Sequence, residues 1–504
     1  MNERTYDVVI VGSGAGGGTV AQELAPLARQ GQRILVVEQG PRLRSFEFTG
    51  RETDMSSALY RDGGAFVTAD RSISLAFAQL YGGSTVVCTG TSLLATERTV
   101  SDWHVPGLAW SDLEWRSRKY LEQNSAHLIP PEDINDNNRL FADGARAAGF
   151  SVEQFPVNVS GCRGSSLCNL GCPNGAKQGT HVVQLPAAER AGVEVVTRAE
   201  AVRVEERAVV VRVRQALPGE KGAPGEWEPG EYRVRARIIV LAGGAAGTTA
   251  LLLRSPISRR IPHIGTGFTC HPSLIMVAEH DAPITNDVGH PKSFYVDHAD
   301  AGGYVLESCM YPPFVVARSL TGFGADHSRM MHAFPRLQMI LAFACDRTTA
   351  NNRIAVDDAG EPVVHYKLTP EVTQSLAAAT RAAARIFFAA GARRAHVPAA
   401  DPPLLERADA ARLDTRIDAS HVVPGTTSIS SAHLMGGCAM GPPHQAVTDA
   451  WGRVHGIPWL RVADASLFPD AARINPYVTV MVLADRVGEA VRTDVGVLGA
   501  ITAR

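Results

Sequence analysis

Residues 6–20 run Tyr6-Asp7-Val8-Val9-Ile10-Val11-Gly12-Ser13-Gly14-Ala15-Gly16-Gly17-Gly18-Thr19-Val20. Four successive β-branched residues, Val8 to Val11, make the apolar run that a strand buried on both faces of a parallel sheet requires. Gly12, Gly14 and Gly17 then stand in the G-x-G-x-x-G spacing, and a helical apolar pattern continues through Ala21, Leu24 and Ala28. Gly12 permits the tight turn, Gly14 lets the backbone approach a pyrophosphate, and Gly17 lets helix and strand pack closely. The helix N-terminus offers unpaired N–H groups and partial positive charge to phosphates. A second strand, Arg33 to Val37, ends at Glu38, about 20 residues past the glycines, where a carboxylate can grip an adenosine ribose. Strand, turn, helix and acid in this order predict a dinucleotide site. A glycine-rich turn in an ordinary βαβ unit is the plainer alternative.

Outward from this stretch, the chain has the composition of a soluble globular enzyme: 504 residues, 45% hydrophobic and 20% charged. A net charge of −2 provides no field to recruit nucleic acid or an anionic membrane. No apolar run approaches membrane-spanning length, and a first strand starting near residue 6 leaves no room for a leader, so a cytoplasmic location is expected. Of eight cysteines, Cys88, Cys270, Cys309, Cys345 and Cys438 are scattered, as suits free thiols in a reducing compartment.

The loop Gln79-Leu80-Tyr81-Gly82-Gly83-Ser84, continuing to Gly90, has the small residues of a backbone passing close to a ligand. Trp110-Ser111 looks like a helix start with Ser111 as N-cap, and a second helix is expected from Asn138 to Gly149. Strands follow at Val193–Val196, at Val202–Val204 and over residues 209–213. A Pro/Gly/Glu-rich hairpin (218–230) precedes the strand Ile238 to Leu241, which runs into Ala242-Gly243-Gly244 and a helix from Thr248 to Arg254. From about Cys270 to Val423 the texture becomes that of an antiparallel sheet with an Ala-rich helix near 373–390. The chain then returns through a short strand ending at Asp464. Asn475 as N-cap and Pro476 as first residue specify a last helix, with apolar period through Val480, Leu483, Val487 and Val491.

These elements, with Ser431-Ala432-His433-Leu434-Met435-Gly436-Gly437-Cys438, stand in an order that resembles the glucose–methanol–choline (GMC) family of FAD-dependent oxidoreductases. The resemblance implies an α/β fold. A Rossmann-like FAD-binding domain (1–160, 185–270 and 428–504) would be interleaved with an antiparallel-sheet substrate domain (271–427), and 161–184 forms a cysteine-motif segment. It implies FAD held by Gly12, Gly14, Gly17, Glu38, Gly82, Gly83, Ser84, Gly90, Val202, Asp464 and Pro476. It gives the catalytic positions to His433 and Asn475. The chemistry agrees: oxidising an alcohol needs a base for the hydroxyl proton and an acceptor for the hydride, and histidine suits the first task near neutrality. A satisfied core histidine and a bare helix cap are the plainer readings of the two residues. Cys88-Thr89 stands where many members carry asparagine, and no residue suggests a covalent flavin link, so non-covalent FAD is expected.

Cys162, Cys168 and Cys172 crowd together with intervening glycines and a proline after the last. Three cysteines in a reducing compartment suit metal ligation better than pairing. Zinc would want a fourth ligand, for which His181 is a candidate, whereas thiolates alone suit iron–sulfur, and an inert group of thiols is the plainer reading. The motif resembles the sugar-oxidising dehydrogenase branch of the family, which implies a 3Fe-4S cluster between flavin and external acceptor. The expected function is oxidation of a hydroxyl on a small polar, sugar-like substrate (sugar, glycoside or aminoglycoside), as in antibiotic assembly, with a protein or small-molecule acceptor. Asp281, Asp287, Asp297 and Glu307 would meet a cationic substrate, although solvated surface is their plainer reading. Rival readings are an oxygen-using oxidase of aliphatic or aromatic alcohols, a flavin-dependent lyase on the same fold, and a non-catalytic electron-transfer flavoprotein.

Overall fold

A computed structural model describes residues 2–223, 225–399 and 404–502. The opening apolar run is the strand Asn2–Val11, in which Val8, Val9 and Ile10 are fully buried. It pairs in parallel with Ile34–Val37 on one side and Gly230–Leu241 on the other. Glu194–Val196 extends the sheet beyond Ile34–Val37, and Leu460–Val462 lies parallel to the end of Gly230–Leu241. These five strands therefore deliver Gly12, Glu38, Gly243 and Asp464 to one edge, the C-terminal edge where open α/β sheets bind ligands. The first half of Gly230–Leu241 also pairs antiparallel with Ala208–Val213, which pairs with Ala199–Glu205.

Helix Ala15–Glu23 lies under the last helix, Tyr477–Thr502, close enough that a Cβ on Gly488 would sit 2.7 Å from Glu23 Cβ. The expected apolar stripe of that helix, Val480, Leu483, Val487 and Val491, is buried in the same core as Ile10, Val36 and Val240. No described helix is long and apolar enough to cross a membrane.

The second sheet is antiparallel through its centre, with Ser273–Glu279, Leu337–Ala344, Tyr304–Ser308 and Phe294–His298 side by side. Every residue of Leu337–Ala344 is buried, so both faces are covered. Ile340 and Ala342 face helix Pro370–Ala389, while Met339, Leu341 and Phe343 pack with Val305 and Ile474 on the other side. Thr369 caps that helix by accepting from Val372 N–H, and Pro370 occupies its first position.

Several expected helix starts shift. Helix Trp110–Gln123 begins before Ser111, which lies in the first turn, while Ala109 takes the cap position without a side-chain bond. Asn135 rather than Asn138 opens helix Asp136–Ala147, its Oδ1 accepting from Asn138 N–H at 3.0 Å. The helix expected from Thr248 begins at Gly244, and the last begins at Tyr477, so Asn475 precedes it instead of capping it. Asn475 Oδ1 is buried and holds none of the helix N–H groups.

Candidate active site

The three glycines of the opening turn divide the work as their spacing predicts. Gly12 has φ +99, and a Cβ there would lie 2.3 Å from Ala242 O. A Cβ on Gly17 would lie 1.9 Å from Gly12 O, which makes it the helix–strand contact. At Gly14 an added Cβ meets nothing nearer than Gly83 Cα at 3.8 Å, so this backbone alone stays open to a ligand. Gly16, which the spacing does not single out, is tighter than any of them: its Cβ would fall 1.7 Å from Ala463 O.

Glu38 is buried at the edge beside this turn. Its Oε2 accepts from Ser13 N–H (3.1 Å) and Ser13 Oγ–H (2.6 Å), and its Oε1 from Gly40 N–H (2.9 Å). Burial pushes its carboxyl pKa up, and these bonds work against the shift. Ser13 Oγ also accepts from Gly82 N–H at 2.9 Å, which stitches the Gly82-Gly83-Ser84 loop to the phosphate turn. Gly83 and Gly14 meet backbone to backbone, a Cβ on Gly83 falling 2.7 Å from Gly14 Cα. Ser84 Oγ accepts from Ala78 N–H at 3.1 Å. Gly90 faces Asn158, whose Oδ1 would be 2.4 Å from an added Cβ.

Val202 sits at the register shift between Ala199–Glu205 and Ala208–Val213, and its carbonyl accepts from Arg254 Nε at 2.8 Å. Asp464 is at the expected edge, but both its oxygens are used internally. Oδ2 accepts from Gly244 N–H (2.9 Å) and Thr248 Oγ–H, and Oδ1 from Ser466 N–H (2.8 Å). Its carboxylate therefore shapes two turns of the cradle rather than waiting for a ligand.

His433 follows the strand Ile429–Ser431, and its N–H donates to Ser431 Oγ at 3.1 Å. Its Nε2 lies 3.4 Å from Asn475 Nδ2, so the two predicted catalytic residues do come together. Its ring is edge-on to Phe343 (5.6 Å) and to His271 (5.3 Å), with His433 Nδ1 3.1 Å from His271 Nδ1. Burial holds the His433 pKa down to about 4, while Glu307 acts against the shift and Lys292 with it. Although walled by protein, His433 is half-buried and keeps some accessible surface.

His271 fixes the hydrogen positions of this pair. Its Nε2 accepts the Arg473 N–H at 3.2 Å, so a neutral His271 carries its hydrogen on Nδ1 and donates it to His433 Nδ1. His433 is then left with its hydrogen on Nε2. Turning the Asn475 amide over would present the otherwise unpartnered Oδ1 to that hydrogen. His271 itself is held at φ +51 by Asp346, which accepts from the N–H groups of Cys270 and His271, both at 2.9 Å, and whose pKa burial raises to about 6.

These surroundings fit a bound FAD. Buried polar atoms without partners follow the Gly82–Gly90 loop toward the last helix: His181 Nδ1 beside Gly82, Thr91 Oγ1, Asn158 Oδ1 and Asn475 Oδ1. Asn158 Nδ2 bonds Tyr477 Oη at 3.1 Å, which ties this row to the first residue of the helix. A ligand with ring nitrogens and carbonyls would satisfy such atoms.

The cysteine motif does not assemble as expected. Cys162 is exposed, Cys172 half-buried and Cys168 buried, and among the described residues no three His, Cys, Asp or Glu side chains converge closely enough to hold a metal ion. The turn Cys168–Leu170 is instead anchored by Leu170, packed with Phe48, Leu59 and Val87. Two thiols accept backbone N–H groups, Cys162 from Gly164 at 3.5 Å and Cys172 from Ala176 at 3.3 Å. His181, the candidate fourth zinc ligand, lies against Gly82, with its pKa lowered by burial to about 3. The residues in this arrangement do not fit a cluster or zinc.

Among the candidate acids, Asp281, Asp287 and Asp297 are exposed, as solvated surface would be. Glu307 is not: it is fully buried in an ion pair with Lys292. Sequence reading missed His271, Phe343, Ser13 and Lys292. Only His271 carried a local signal, its place in Cys270-His271-Pro272 where the texture of the chain changes.

The family profile described as GMC oxidoreductase matches residues 56–273 with its N-terminal part and 348–484 with its C-terminal part. An uncharacterised GMC-type oxidoreductase of Mycobacterium tuberculosis is 32% identical over 491 residues, 95% of this chain and 74% of that protein. Paromamine 6'-oxidase of Streptomyces fradiae is 26% identical over 98% of this chain and 92% of its own length. A long-chain-alcohol oxidase of Arabidopsis thaliana is 25% identical over 94% of this chain and 65% of its own. Among solved structures, pyridoxine 4-oxidase superposes with a TM-score of 0.69 at 17% identity, covering 96% of this chain and 99% of that one.

Proposed function

The chain belongs to the GMC oxidoreductase family and is an FAD-dependent oxidoreductase, and on that premise we propose that it oxidises a hydroxyl of a sugar-like substrate to a carbonyl. The observation that carries this reading is the convergence of His433 and Asn475 beside unpartnered polar atoms at the start of the last helix. Similarity to paromamine 6'-oxidase along nearly the whole of both chains favours a sugar or aminoglycoside over a long-chain alcohol.

Non-covalently bound FAD supplies a hydride acceptor. The turn at Gly12, Gly14 and Gly17, with Glu38, holds its dinucleotide part. Gly82 to Gly90, Val202, Asp464 and Pro476 border the rest, and residues 271–427 furnish the substrate side. Asn475 holds the substrate oxygen, and His433 takes the hydroxyl proton at Nε2. To do so His433 must carry its own hydrogen on Nδ1, facing a lone pair on His271. The pair reaches that form when His271 moves its hydrogen to Nε2 and gives up the Arg473 N–H.

The 3Fe-4S reading, and with it membership of the sugar-dehydrogenase branch, rests on the spacing of Cys162, Cys168 and Cys172. Similarity to relatives named as oxidases, paromamine 6'-oxidase and a long-chain-alcohol oxidase, favours a second reading, an oxidase that uses oxygen as its acceptor.

The test is purification without air, iron and sulfide analysis, and a visible spectrum during addition of D-glucose, neamine and 1-decanol. Bleaching of the flavin by the sugar or aminoglycoside, lost in His433→Ala, is expected; bleaching by decanol alone would refute the substrate class. Stoichiometric iron that disappears in Cys168→Ser would establish the cluster, whereas peroxide formation by an iron-free protein would establish the oxidase.

A further inference from the structure

The antiparallel sheet carries a charged pair that its packing does not call for. Lys292 Nζ donates to Glu307 Oε2, and the two side chains are only 5% and 0% exposed. Removing two charges from water is costly, and well-packed apolar residues of similar volume often serve as well or better. The pair is also incomplete. Glu307 Oε1 is buried without a partner, and among the described residues Glu307 is the one hydrogen-bond partner of Lys292 Nζ.

Strand register shows which way Glu307 faces. Glu307 stands opposite Tyr295 on one neighbouring strand and Leu341 on the other. Residues two apart share a face, so Tyr295, Asp297, Glu307, Leu341 and Phe343 lie together on the side away from helix Pro370–Ala389. Phe343 packs perpendicular to the His433 ring, and Leu341 and Phe343 pack with Ile474, the residue before Asn475. Tyr295 and Asp297, on the same face as Glu307, line a cavity with Arg473 and Ile474, and the Lys292–Glu307 pair lies buried behind that lining. Both charges act on the His433 imidazole, in opposite directions.

We propose that Lys292 and Glu307 form a substrate-recognition subsite for a polyhydroxylated molecule, Glu307 Oε1 accepting a hydrogen bond from a second hydroxyl while Lys292 donates to a neighbouring oxygen. This rests on the reading of the His433–Asn475 centre as alcohol-oxidising. A carboxylate only accepts and an ammonium only donates, so a vicinal diol satisfies both at once. A linear alkanol offers neither group and leaves Oε1 as it stands. Sites built to bond a hydroxyl reject analogues that lack it by large factors, because their own buried groups are then left unpaired.

The test is equilibrium binding to the flavin-loaded His433→Ala protein, which does not turn over, read as the change in flavin absorbance on titration with D-glucose, neamine or 1-octanol. Adding Lys292→Met and Glu307→Leu together keeps the net charge and is expected to weaken glucose or neamine binding roughly 100-fold, with octanol unaffected. Glu307→Gln, which keeps the shape, is the second variant should the double one not fold, and a loss of about tenfold is expected from it. Unchanged sugar binding in these variants, an equal loss for octanol, or no spectral response to any polyol would overturn the subsite. Sugar binding that depends on the pair in a protein whose flavin no alcohol reduces would leave the subsite standing and strike the oxidation reading instead.

Discussion

Acid should destabilise this protein partly through one ring, and the size of that effect can be worked out. His433 has an ordinary pKa of 6.5 when unfolded and about 4 in the folded chain, where burial disfavours its charge. As pH falls, the unfolded chain takes up this proton first. The contribution is therefore complete above about pH 6.5 and drains away toward pH 4. The linkage integral gives a loss of about 2 kcal/mol by pH 5 and about 3 kcal/mol by pH 4. His290 and His396, each lowered by burial to about 4, act in the same direction, whereas Asp346, raised to about 6, acts in the opposite one. The whole-protein slope therefore mixes several groups, and a difference between native protein and variant cancels those that do not touch His433. Urea unfolding of the native protein and of His433→Asn, followed by tryptophan fluorescence at pH 7.5, 5 and 4, should show the native protein losing about 2 and then 3 kcal/mol more than the variant. Parallel curves to within about 0.5 kcal/mol would mean that the folded ring titrates normally and that its burial does not act as described.

Gly16→Ala should purify with little bound flavin, since its Cβ would meet Ala463 O at 1.7 Å and force the Leu460–Val462 strand away from the turn. A normal ratio of flavin to protein absorbance would refute this. At His271, Asn tolerates φ +51 and can donate or accept where Nδ1 does, whereas Phe keeps only the stack on Phe343. The kcat/KM of His271→Asn should stay within about tenfold of the native value with its pH profile unmoved, and His271→Phe should lose about 100-fold or more. Equal behaviour of the two would leave His271 with a packing role only.

What the sequence made legible is what depends on neighbours along the chain. The run Val8 to Val11 and its glycines identify a strand, a turn and a helix because each task falls to a residue a few positions from the next. The apolar period of the last helix likewise shows its buried stripe. The Lys292–Glu307 pair and the Phe343 wall arise from the register of antiparallel strands, and register is set by pairing that no local pattern records. Glu307 looks like one surface acid among four, and only its position opposite Tyr295 and Leu341 buries it. The cysteines show the opposite failure. Their spacing permits convergence, yet Leu170 has an apolar cluster to join, and that contact rather than the thiols anchors the turn. Asn475-Pro476 has the composition of a cap, but the helix starts one residue later and leaves the amide free for His433.

The contact of Gly16 with Ala463 has a consequence for how the chain folds. Glycine turn and buttress lie at residues 16 and 463, so the phosphate cradle closes only across a very large loop, and contacts of that kind form slowly. Until Leu460–Val462 docks beside Gly230–Leu241, the opening turn has no wall on that side, and Asp464 is not in place to order the Gly244 turn. Capture of the cofactor is in this way coupled to a long-range step of assembly, and a half-folded chain has no complete cradle in which to trap it.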